Sequence, residues 1–180
     1  MTKRVLIIGG GFAGLECARR LARDKRFEVT LVDRTNHHLF QPLLYQVATA
    51  SLAAPDIARS LRQILMKASN VTVLMDQIVD LVPKERFAMG KSGEKYEYDY
   101  LFLAAGVQTS FFGRHEWEAH TLGLKTLAEA QAIRRRVLSN LEKAELTDCE
   151  QARRRLMTVC LLYTSPSPRD LSTSRMPSSA

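Results

Sequence analysis

Val5-Leu6-Ile7-Ile8-Gly9-Gly10-Gly11-Phe12-Ala13-Gly14-Leu15 is the stretch that decides the fold. An apolar run ends in three glycines, and Gly9, Gly11 and Gly14 fill the three fixed places of the G-x-G-x-x-G pattern. The pattern is informative only after a strand, before a helix and with an acid about twenty residues on. Arg4 to Ile8 reads as that strand, and Phe12 to Arg23 as a helix with Leu15, Ala18, Leu21 and Ala22 at helical spacing. Phe27 to Val32 is a second apolar strand, closed by Asp33 19 residues after Gly14. The result is the outline of a βαβ unit with a parallel sheet, an α/β, Rossmann-like fold. Gly9 permits the tight turn, Gly11 lets backbone approach a pyrophosphate, and Gly14 lets the helix pack on the strand. Free N–H groups at the helix start favour phosphate, and Asp33 can accept hydrogen bonds from both ribose hydroxyls.

Beyond Asp33 the residues from Arg34 to Ala54 form a connection long enough to suggest function. Asp56 is expected to cap a helix reaching about Lys67, with Ile57, Leu61, Ile64 and Leu65 on one face. Val71 to Met75 is a short strand. From Ile78 to Phe102, turn signals at Pro83-Lys84 and Gly90 to Gly93 predict a small antiparallel meander, and Tyr100 to Ala104 a buried strand. Thr126-x-x-Glu129 is a capping box ahead of a helix carrying Ile133, Val137 and Leu141. Thr147-x-x-Glu150 repeats the signature, and Leu156 to Val159 is expected to begin a further strand.

Composition narrows the function classes. The 180 residues are 46% hydrophobic, enough for a core, and the longest apolar stretches are far too short to span a bilayer. Lys3 and Arg4 precede no signal-peptide core, so a cytosolic origin is expected. Cys17, Cys149 and Cys160 are far apart and form no C-x-x-C pair, which argues against metal and disulfide frameworks. His37 and His38 have no third ligand nearby and are expected to be solvated or close to phosphate. The net charge of +7 lies largely in Arg134-Arg135-Arg136 and Arg153-Arg154-Arg155, interleaved with glutamates as on a solvated helix face. No nucleic-acid motif accompanies it.

Tyr98-Asp99-Tyr100-Leu101-Phe102-Leu103-Ala104-Ala105-Gly106 resembles the strand that ends in A-T-G in flavoproteins with two dinucleotide domains, Ala105 replacing threonine. Asn36-His37-His38-Leu39-Phe40-Gln41-Pro42-Leu43-Leu44-Tyr45-Gln46-Val47-Ala48 resembles a stretch of the type II NADH:quinone dehydrogenases, non-proton-pumping members of the pyridine nucleotide-disulfide oxidoreductase superfamily. Thr109 to Trp117 and Gly123 to Leu127 are similar to that family too. The resemblance implies FAD as cofactor, NADH as co-substrate, a membrane quinone as acceptor and a peripheral place on the cytoplasmic face of the membrane. FAD phosphate contacts would fall on Gly9, Gly11, Phe12, Ala13 and Gly14, and the ribose contact on Asp33 with Arg34. A backbone contact to adenine would fall near Ile78, with Ala105 and Gly106 on the pyrophosphate side and Pro42 and Leu43 near the isoalloxazine. No general acid or base is implied for the hydride step. The alternatives are a sulfide:quinone oxidoreductase-like flavoprotein, which needs redox cysteines beside the flavin, or a non-catalytic dinucleotide-binding fragment.

The expected organisation is an FAD-binding part over 1–120, then connecting helices and the first strand of a truncated NADH-binding domain over 121–159. Residues 160–180 break with what precedes: Cys160 to Asp170 and Thr173 to Ala180 read, in one frame, like translated transposase-type sequencing adapter. That tail is expected to have no fixed structure, and the chain by itself to be inactive.

Overall fold

A computed structural model of the chain describes residues 2–109 and 115–161. Strands β1 (Lys3–Ile8) and β2 (Phe27–Asp33) flank helix α1 (Phe12–Leu21), as the glycine run implies. The chain then forms β3 (His37–Leu39), a 3-10 turn over Gln41–Leu43, α2 (Leu44–Ala48), α3 (Ala54–Ile57), β4 (Ala58–Ser60) and α4 (Leu61–Leu65). Strand β5 (Val71–Met75) returns to the sheet, followed by β6 (Ile78–Val82), β7 (Phe87–Gly90) and β8 (Lys95–Glu97). Then come β9 (Tyr100–Leu103), a 3-10 turn at His115–Trp117, α5 (Leu127–Glu145) and α6 (Glu150–Met157).

The main sheet is parallel, in the order β5-β2-β1-β9. Strand order therefore reverses at β1, the switch point outside which open α/β sheets bind ligands. Successive residues of β1 point to opposite faces, and both faces are covered. Val5 and Ile7 pack with Leu15 and Ala18 of α1, Val29 and Leu31 of β2, and Leu61 and Leu65 of α4. Leu6 and Ile8 pack with Val32, Ala88 and Tyr98 under the meander of β6, β7 and β8. A third cluster joins Leu44, Val47, Ala48 and Ile57 to Ala130 of α5.

The structure departs from the sequence expectations in the Asp56 to Lys67 segment, in β9 and in the last helix. The helix from Asp56 to Lys67 is broken, because Ala58 to Ser60 pair antiparallel with His37 to Leu39 and Phe40 N–H donates to Ile57 at 2.8 Å. Asp56 caps from inside the turn, accepting Ala53 N–H at 2.9 Å, and Ser60 starts the second helix by accepting Gln63 N–H. Strand β9 is not buried: Tyr100, Phe102 and Leu103 are exposed, since β1 is its one sheet neighbour among the described residues.

The second capping box does not form; Cys149 is the N-cap of α6 and Glu150 its first residue. Leu156 and Met157 end that helix rather than begin a strand. Glu150 pairs with Arg153 and Arg154 one turn on, and Arg153 Nη2 donates to Thr147 O at 3.0 Å, which favours the helix locally. By contrast Thr126 and Glu129 form the first capping box as the sequence implies. Residues 162–180, most of the adapter-like tail, lie outside the described residues, as do 110–114.

Candidate functional site

The site lies at the carboxyl ends of β1 and β9, where backbone is packed against backbone. Gly9 has φ +102°, left-handed space that L side chains rarely occupy, and a Cβ there would strike the Ala104 carbonyl oxygen. Gly9 N–H donates to Val32 O at 2.8 Å and Ala104 N–H to Ile8 O at 2.8 Å, so the turn is tied to strands on both sides. A Cβ on Gly14 would strike the Gly9 carbonyl oxygen, with Ile7 Cγ2 at 3.3 Å behind it. Only a glycine lets α1 sit this close to β1.

Gly11 is different in kind. It is the N-cap of α1 with φ −69° and ψ −163°, a backbone any residue can adopt, and nothing lies within 4 Å of where its Cβ would stand. No side chain caps the helix, and its first turn carries no acid. The amides at the start of α1, at Gly11, Phe12 and Ala13, thus border open space with the positive end of the helix dipole behind them. That arrangement suits a phosphate.

Asp33 ends β2 half-buried beside the turn. Its Oδ2 accepts Gly10 N–H at 2.5 Å, and its Oδ1 accepts Thr35 N–H at 2.6 Å and the Thr35 hydroxyl at 2.8 Å. Each carboxylate oxygen has two lone-pair sites, so acceptor capacity remains on the Oδ2 side. Arg34 beside it is exposed. Ala105 and Gly106 follow β9 and are exposed, Gly106 with φ +73°.

The other expected residues are spread more widely. Ile78 begins β6, stands opposite Gly90 of β7 and sends its side chain into the cluster under the meander, so a contact to a ligand would have to come from its backbone. Pro42 is exposed in the 3-10 turn, whereas Leu43 packs on the third cluster against Leu44 and Val47. Gln41 Nε2 reaches the Lys125 carbonyl at 3.5 Å, linking that turn to the segment before α5. Cys17 is partly buried against the first cluster, and burial pushes its thiol up, away from a reactive thiolate.

Gly10, a wildcard of the motif, carries no sign of its role in the sequence. A Cβ at Gly10 would strike Leu61 Cδ1 and approach Asp33 Oδ2 at 3.3 Å. His38, expected to be solvated or close to phosphate, has its Nδ1 3.0 Å from the Gly10 carbonyl and its ring edge to face on Phe12 at 5.0 Å, a contact the sequence did not specify. The long connection after β2 was the one signal that a side chain would return there. Among the described residues no group of three or more His, Cys, Asp and Glu could hold a metal, and no helix is long and apolar enough to cross a membrane.

Residues 3–153 match a family described as pyridine nucleotide-disulphide oxidoreductase. Two Mycobacterium tuberculosis proteins are similar to this chain. The type II NADH:quinone oxidoreductase NdhA is 39% identical over 91% of this chain and 35% of its own length. The type II NADH:quinone oxidoreductase Ndh is 37% identical over 91% and 36%. The chain thus spans about a third of the length of these relatives. Among solved structures, NDH2 from Plasmodium falciparum superposes with TM-score 0.76 at 24% identity, over 86% of this chain and 32% of that one. The Aquifex aeolicus sulfide:quinone oxidoreductase gives 0.70 at 24%, over 79% and 33%. At such identities the likeness is one of fold.

Proposed function

The chain belongs to the pyridine nucleotide-disulphide oxidoreductase family, and on that premise we propose that it is the FAD-binding portion of a type II NADH:quinone oxidoreductase. The observation that carries the reading is Gly11, an open, uncapped helix start held between two glycines that admit no side chain. The residues present fit the diphosphate of FAD. Gly9 and Gly14 bring turn, strand and helix together, and the amides of Gly11, Phe12 and Ala13 would receive the phosphates. Asp33 would accept the adenosine ribose hydroxyls, with Arg34 alongside. The Ile78 backbone would meet adenine, Ala105 and Gly106 would approach the diphosphate from β9, and Pro42 and Leu43 would border the isoalloxazine.

FAD, when bound, supplies the transfer of electrons from NADH to a quinone. The chain's own part is to bind and orient: a rigid turn, one carboxylate on the ribose and no side chain in the phosphate path. Residues 1–120 would form this portion, and 121–159, with α5 and α6, would connect it to the nicotinamide-binding part. The mycobacterial relatives support the choice of NADH and quinone, which their names carry. For the complete protein we place the reaction at the cytoplasmic face of the membrane, where a peripheral enzyme meets quinone.

Titration of FAD with the purified chain tests the reading. Saturable quenching of flavin fluorescence, weakened by Asp33→Ala, is expected. Quenching that never saturates, or that is indifferent to Asp33, overturns it.

A further inference from the structure

Three consecutive glycines give the turn between β1 and α1 far more conformational freedom than most sequences would. A phosphate site needs fixed amides, so something other than the backbone must hold them. Gly10 is held at both its polar groups by side chains from elsewhere in the chain. Its N–H donates to Asp33 Oδ2 at 2.5 Å, from the end of β2. Its carbonyl lies 3.0 Å from Nδ1 of His38, in β3. His38 is itself fixed, paired with Arg59 across the two-stranded sheet and packed edge to face on Phe12 at 5.0 Å.

The second contact has a directional consequence. A carbonyl has no proton, so His38 must donate from Nδ1–H, which sets the tautomer of the neutral ring. In a trans peptide the carbonyl of one residue and the N–H of the next point in opposite directions. Fixing the Gly10 carbonyl toward His38 therefore fixes the Gly11 N–H away from it. Gly11 is where the helix start is open. Without a donor at His38, the peptide between two glycines is free to rotate and to present its carbonyl where the phosphate would meet an amide.

We propose that His38 is a positioning residue of the dinucleotide turn, whose Nδ1–H holds the Gly10–Gly11 peptide in the orientation that presents the Gly11 amide to phosphate. The consequence for FAD rests on the function proposed above; the peptide lock itself does not. The same contact explains why β3 and β4 matter to a site they do not border in sequence: they carry the imidazole back to the turn.

The test uses the 180-residue chain in three forms: the parent, His38→Phe, which keeps a ring against Phe12 but cannot donate, and His38→Asn, whose amide nitrogen stands close to the Nδ1 place. Nitrogen-15 spectra of the cofactor-free parent at about pH 8.5, where imidazole is ordinarily neutral, are expected to give the Nδ1–H tautomer for His38. Amide exchange at Gly10 and Gly11 is expected to accelerate in His38→Phe and to recover in His38→Asn. FAD affinity is expected to fall about tenfold in His38→Phe, the loss of one good hydrogen bond, and to return to within about threefold in His38→Asn. An Nε2–H tautomer, or unchanged exchange in His38→Phe, overturns the lock. Equal FAD affinity in the parent and His38→Phe overturns its role in binding. A parent chain with the expected tautomer and exchange that binds no FAD instead removes the proposed function and leaves the lock standing.

Discussion

A Cβ built on Gly14 falls on the carbonyl oxygen of Gly9. That clash is between two backbones, one in α1 and one at the end of β1, so no rotamer change can relieve it. Gly14→Ala must push the helix off the strand and disturb the packing of Leu15 and Ala18 on Val5 and Ile7. We expect a loss of about 1–3 kcal/mol of folding stability, the range for overpacking a tight core. Urea unfolding followed by circular dichroism measures it. A midpoint equal to the parent's means that the helix sits farther from the strand.

Gly11→Ala separates binding from folding. The backbone angles at Gly11 suit alanine and no atom lies in the way, so stability is expected to hold or to rise by about 0.4–1 kcal/mol. FAD affinity is expected to fall, since the new methyl group stands where the diphosphate must approach. Parallel melting and fluorescence titrations decide it; a variant that melts early and still binds FAD contradicts both halves.

Asp33→Ala is expected to lower both quantities. The folded turn loses the acceptor for Gly10 N–H and for Thr35 N–H and hydroxyl, and leaving such groups unpaired costs about 1–3 kcal/mol. FAD loses a charged acceptor for its ribose, worth about 1.5–3 kcal/mol. A variant with weakened binding but parental stability would restrict Asp33 to the ligand and remove it from the architecture of the turn.

The parts of the fold visible in the sequence were those whose signal is local. Gly9, Gly11, Gly14 and Asp33 sit at fixed spacings because the strand, turn and helix are contiguous, and Thr126 with Glu129 caps a helix from within one turn. The antiparallel meander was marked by its own turn residues. What escaped was set by partners distant in sequence. Ala58 to Ser60 look helical until His37 to Leu39 offer them a ladder. Gly10 is a wildcard of the motif until Leu61 and Asp33 close around it. His38 reads as a loop histidine until the paired strands bring it 3.0 Å from the Gly10 carbonyl. Tyr100, Phe102 and Leu103 have the composition of a buried strand, yet lie exposed because burial depends on what pairs with the edge.

The meander is tied to β5 through Asp76, and the tie titrates. Asp76 accepts the Ser92 hydroxyl at 2.5 Å, the Tyr96 hydroxyl at 2.8 Å and the Gln77 N–H at 2.7 Å. The Ser92 hydroxyl, ahead of Tyr96 and the backbone amides, holds the Asp76 carboxyl below the usual carboxylate range. Burial first, and then its bond to Asp76, push the Tyr96 phenol up to about 12. The signs follow from the two directions. A carboxyl depressed in the folded state contributes stability above its ordinary value near 4, lost as pH falls through the lower folded value. A phenol raised in the folded state contributes stability that is complete below its ordinary value near 10 and disappears as pH rises toward about 12. Tyr96→Phe removes the second group and the hydrogen bond while keeping the ring against the cluster that contains Leu6 and Ile8. Its melting temperature is expected to lie below the parent's at neutral pH, with the difference narrowing between about pH 10 and 12 as the parent loses what the variant never had. Melting curves of both proteins across that interval check it. A gap that stays constant to the alkaline end would mean that the Tyr96 hydroxyl titrates alike in folded and unfolded chains.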